Sequence, residues 1–143
     1  MIITRCIASI IALIILAGCA FLPSPSADTI SVADAQQILA QAETFAQAGD
    51  IQGLCALTDL PRRCERAIVR VGGIATAPTE SPQIVDTYLL PDQGQYVGYR
   101  VLVLEGEDAT GKPYRTEFGV FYNSERKLSP MYPVYWSGGS IAD

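Results

Sequence analysis

The chain has no histidine. Imidazole is the one side chain poised to titrate near neutral pH and the commonest metal ligand, so triads and zinc sites built on it are excluded. Any catalysis would fall to Asp, Glu, Tyr, Lys or Ser in tuned environments. Positive charge is also scarce: 10 Lys and Arg stand against 15 Asp and Glu, a formal net charge of −5. General nucleic-acid binding needs clustered cations, so that function class is set aside. No apolar run reaches the roughly 20 residues that cross a bilayer as a helix. No C-x-x-C pair occurs, which removes the usual redox signature. The acidic tip Glu105, Glu107, Asp108 lacks the spacing of an EF-hand loop, so neither a metal nor any other cofactor is expected.

What is present begins with MIITRCIASIIALIILAGC. Arg5 precedes an apolar run that ends in small residues, the grammar of an export signal. Leu16-Ala17-Gly18-Cys19 resembles the bacterial lipobox, directly after that run. The resemblance implies cleavage before Cys19 and a lipid on the new N-terminal cysteine. The alternatives are an uncleaved anchor or an ordinary signal cut nearby. Two acyl chains anchor a protein stably, at about 0.8 kcal/mol per buried CH2. The expected organisation is a signal peptide at 1–18, a lipidated tether at 19–30 and one domain at 31–143. The expected location is the cell envelope: the outer membrane in a two-membrane host, otherwise the outer face of the plasma membrane.

Ser31 to Ala48 carries apolar residues at helical spacing behind a Ser31/Asp34 capping signal. Gly49 ends it, Asp50 caps a second short helix, and Pro61 sits in the first turn of a third. In that third helix Arg62, Arg63, Arg66 and Arg70 share one face, opposite Cys64, Ala67, Ile68 and Val71. This basic stripe reads either as a solvated face or as a contact for anionic headgroups or an acidic partner. Cys55 and Cys64 are an even pair in an exported domain and are expected to form a disulfide. Strand patterns follow at 83–90, 95–105, 114–122 and 128–136. Pro130 and Pro133 mark the last as an edge or bulged strand. Arg115 and Glu117 share a strand face, where a solvated ion pair is expected. Segregated helices and antiparallel strands define an α+β fold.

The run Phe45-Ala-Gln-Ala-Gly49-Asp50, then Leu54-Cys55-Ala56-Leu57, then Cys64, resembles small exported proteins of the nuclear transport factor 2-like, cystatin-like superfamily, many of them actinobacterial lipoproteins. The resemblance implies N-terminal helices packed on a curved antiparallel sheet of about four strands, a cone with a pocket. Asp86, Tyr88, Tyr99 and Val101 are the candidate pocket residues; no catalytic residue is assigned. The expected function is a membrane-anchored, non-enzymatic binding module for an envelope partner or a small apolar ligand. The alternatives are a small isomerase, lyase or hydrolase with an Asp/Tyr pocket, and an immunity or exclusion lipoprotein of a mobile element. Metabolic labelling with an alkyne fatty acid should mark the wild-type chain and leave Cys19→Ser unmarked. Equal labelling of both would remove the anchor.

Overall fold

The structure, a computed structural model, describes residues 25–141. Cys19 and the rest of the expected signal and tether up to residue 24 lie outside the described residues. Three helices pack on a four-stranded antiparallel sheet: α1 (Val32–Gln47), α2 (Ile51–Ala56), α3 (Pro61–Arg70), then β1 (Gln83–Leu90), β2 (Tyr99–Glu107), β3 (Pro113–Tyr122) and β4 (Leu128–Pro130). The strands form an open meander in the order β1-β2-β3-β4. Among the described residues, no helix is long and apolar enough to cross a membrane.

Local chemistry sets the helix ends. The Ser31 hydroxyl accepts from Asp34 N at 3.0 Å, and the Asp34 carboxylate accepts from Ser31 N at 2.9 Å, a reciprocal cap. Those bonds hold the Asp34 carboxyl below its ordinary pKa. Asp50 caps α2 by accepting from Gly53 N at 2.8 Å. The α1 stripe Ala35, Ile38, Leu39, Ala42 and Ala46 is buried. It meets Leu102, Leu104, Phe118 and Val120, which the strand register brings to one sheet face. Leu54, Ile68, Val134, Tyr135 and Trp136 complete this core. Each fully buried large side chain contributes roughly 1.5–3 kcal/mol.

The structure corrects three expectations. The domain begins before residue 31: Ala27 N and Ser26 Oγ both donate to the Asp92 carboxylate at 2.9 Å, and Ile30 is fully buried. Ile30 belongs to the core, so the expected tether at 19–30 loses its last residues to the fold. The first hairpin also begins later than the pattern suggests. Gly98 N donates to Asp92 at 2.8 Å, so β2 pairs only from Tyr99. The last strand is short. Pro133 offers no amide to a ladder, and after Met131 N donates to Gly119 O at 2.8 Å the chain turns inward. Val134, Tyr135 and Trp136 then enter the core as irregular backbone, with Trp136 Nε1 donating to Thr76 Oγ1 at 3.0 Å.

Ile30→Ala should cost about 2–5 kcal/mol in urea unfolding, the usual penalty for hollowing a packed site. An unchanged midpoint would return residues 27–30 to the tether.

Candidate functional site: an arginine-lined cleft beside α3

Helix α3 is built to hold one face down and the other out. Cys64 and Ile68 are buried, whereas Arg62, Arg63, Arg66 and Arg70 are exposed. The Cys55–Cys64 disulfide, with Cα atoms 5.4 Å apart, ties the first turn of α3 to α2. The expected pairing is therefore present. It fixes the helix against rotation and keeps the basic face outward.

Facing α3 is the irregular segment that follows β4. Between them lies a cleft of about 630 Å³, lined on one side by Arg63, Arg66 and Arg70 and on the other by Tyr132, Val134 and residues 137–140. Arg62 belongs to the same stripe but does not line the cleft. The second wall depends on hydrogen bonds that the sequence does not advertise. Gly138 N donates to Thr116 Oγ1 at 2.9 Å, and Glu117 N donates to Gly139 O at 2.9 Å. Glu117 also accepts from Ser140 Oγ at 2.9 Å and Ile141 N at 2.6 Å. The expected pair of Arg115 with Glu117 is thus replaced. Arg115 pairs with Glu105, its cross-strand neighbour, and Glu117 fastens the C-terminal segment. A period-two pattern places Arg115 and Glu117 on one face but cannot show that a distant segment needs Glu117 more.

Among the described residues, no side-chain hydrogen bond or ion pair engages any of the four α3 arginines. Arg62 and Arg63 also stand in the first turn, which holds no acidic residue. Cations at that end oppose the helix macrodipole, at roughly 0.3–1 kcal/mol each. Helix stability therefore does not account for them.

The four residues expected to line a pocket lie elsewhere. Tyr88 pairs with Val101, Asp86 with Val103, and Val101 with Gly119, so Asp86, Tyr88, Tyr99 and Val101 share the sheet face turned away from the helical core. Val101 is fully buried there, and Tyr99 meets Phe121 edge-on at 5.5 Å. Asp86 is exposed and accepts from its neighbour Thr87 N at 2.8 Å. Tyr88, opposite Val101, and the Tyr99–Phe121 ring pair are half-buried on this face. The space between helices and sheet, where the pocket was expected, is filled by the core itself. Asp108 is spent on its own turn, accepting from Thr110 N, Thr110 Oγ1 and Lys112 N.

No family model, curated protein or solved structure matches this chain.

Burial leaves a titration signature. The Tyr88 phenol is pushed up to about 12 by desolvation and then by Glu117, and Tyr114 to about 12 by desolvation and then by Glu43. Tyr135 is raised further by burial. The buried Tyr114 and Tyr135 hydroxyls have no hydrogen-bond partner among the described residues. A phenol whose pKa is raised on folding binds its proton more tightly in the folded chain. Its stabilising contribution is full below the ordinary value of 10.0 and is lost as pH rises toward about 12. Ultraviolet titration should show these phenolates appearing late, with stability falling from about pH 10 upward. All seven tyrosines titrating together near the ordinary value in folded protein would contradict the packing.

Proposed function

We propose that this protein is an exported, membrane-tethered, non-enzymatic binding module. Its α3 cleft receives an acidic segment of an envelope protein. The observation that carries the proposal is the row Arg63, Arg66, Arg70 along the cleft, with no ion pair to any of the three among the described residues. At 1.5 Å rise per residue the row extends about 10 Å along the helix, with steps of about 4.5 and 6 Å. An extended acidic peptide presents alternate carboxylates about 6.7 Å apart, near the longer of those two steps. The concave wall of Tyr132 and Val134 suits a chain lying in a groove better than a flat bilayer surface. The lipobox-like Leu16-Ala17-Gly18-Cys19 supports placing the module on a membrane.

The alternative of Asp/Tyr catalysis has less support. Asp86 is exposed on an open sheet face, and its carboxylate accepts from the neighbouring Thr87 N rather than facing a cleft.

The full-length protein, titrated in detergent with a soluble peptide of alternating Glu, should bind it in a salt-sensitive way. Arg63→Gln, Arg66→Gln and Arg70→Gln combined should weaken binding about tenfold, or ~1.4 kcal/mol. A triple variant that binds as well as the parent, with an unchanged unfolding midpoint, would show the stripe to be only a solvated helix face.

A further inference from the structure

We infer that the tip of the β1–β2 hairpin is a second membrane contact, a site where the folded domain itself seats on the bilayer interface. The inference rests on the lipid-anchor reading of Cys19 and goes beyond it.

Three observations meet at Asp92. Its carboxylate accepts from Ser26 Oγ at 2.9 Å, Ala27 N at 2.9 Å and Gly98 N at 2.8 Å. One side chain therefore binds the root of the tether to the mouth of the hairpin. Those three bonds hold the Asp92 carboxyl below its ordinary pKa, the Gly98 amide first. Gly98 is required there, since a Cβ would come within 2.4 Å of Leu90 O.

The tether is short. Six residues separate Cys19 from Ser26, seven steps along the chain, and an extended chain spans at most about 3.6 Å per step, so the two are no more than about 25 Å apart. On the anchor reading, this end of the sheet stays within about 25 Å of any lipid on Cys19. The tip offers what an interface takes. Tyr96 is 71 % exposed and Val97 is 49 % exposed, beside each other and without a protein surface to cover them. Tyrosine favours the headgroup level, where its ring is dehydrated and its hydroxyl stays wet. The β3–β4 turn lies at the same end of the meander, and its Lys127 is paired with Glu125 of the same turn. The opposite end, with the β2–β3 hairpin, carries Glu105, Glu107 and Asp108 and points away from the membrane.

The test uses full-length protein, processed in cells and reconstituted into phosphatidylcholine–phosphatidylglycerol vesicles. An environment-sensitive dye is attached at Val97→Cys and, separately, at Glu107→Cys; an acylated Cys19 and the bonded Cys55–Cys64 pair offer no competing thiol. The Val97 label should emit at shorter wavelength and be quenched by doxyl groups on the lipid chains, and the Glu107 label should do neither. Acylated, vesicle-bound protein with both labels equally in water would overturn the hairpin contact and leave the anchor standing. Protein that lacks the acyl mass and stays in the aqueous phase would remove the anchor, and this contact with it.

Discussion

Strand β2 is apolar on both faces, and most of the structure follows from covering it twice. Leu102 and Leu104 point one way, Val101 and Val103 the other, and all four are buried. The helices can satisfy only the first pair. Chain folded over the far side, and aromatic rings standing beside it, must shield the second. Tyr88 stands opposite Val101, and Tyr99 lies against Phe121. The C-terminal segment closes over the same face: a Cβ on Gly119 would meet Ile141 Cδ1 at 2.4 Å. Gly119 is thus the opening that lets residues 137–141 approach. Glu117 locks that approach by accepting from Ser140 and Ile141. The segment that shields β2 is also the second wall of the arginine cleft. The binding face is therefore a consequence of how the sheet is covered, and loosening the C-terminal segment would open both.

The disulfide acts on the other wall. A ten-residue helix such as α3 is marginal alone. Two arginines in its first turn make it weaker still. Tying Cys64 to Cys55, and burying Ile68 in the core, holds the helix in place despite that charge. The small loop it closes stabilises by roughly 2–3 kcal/mol in the chain-entropy model. That is enough to offset the two unfavourable first-turn cations. Charge that would loosen an unconstrained helix is kept in a fixed row.

Much of the fold was legible where side-chain periodicity and local capping agree. Ser31 with Asp34 and Asp50 before Gly53 each announce a helix end through bonds made within three residues, and Pro61 marks the start of α3 by its fixed backbone angle. The alternation in β2 and β3 announces both faces. What was not legible depends on partners far along the chain. Ile30 reads as tether until the core has a gap for it. Asp92 reads as a turn residue, although two of its three acceptor bonds go to residues 65 and 66 positions earlier. Trp136 and Tyr135 read as the end of a strand, yet Pro133 takes them out of the ladder and into the core. For the candidate site, the sequence displayed the arginine row and the cysteine pair. It hid the opposite wall, because glycines and serines at 137–140 carry no periodic signal. The same alternation that placed Asp86, Tyr88, Tyr99 and Val101 on one face could not say which face the helices would cover.

Asp92 joins these two halves. A carboxylate that accepts three hydrogen bonds stays ionised and rigid. It fixes the point where the chain at Ser26 and Ala27 meets the mouth of the β1–β2 hairpin. With the hairpin tip toward the membrane, α3 runs from that end of the sheet toward the far hairpin. Asn123 Nδ2 donates to Asp59 Oδ1 just before α3 begins, and Arg70, at its other end, shares a surface hollow with Lys112 of the β2–β3 loop. On the proposed seating, the arginine row would lie along the membrane-to-solvent axis. A partner entering the cleft would approach from the side and lie perpendicular to the bilayer. That geometry favours a segment rising from a membrane-embedded neighbour over a soluble ligand arriving from bulk solvent.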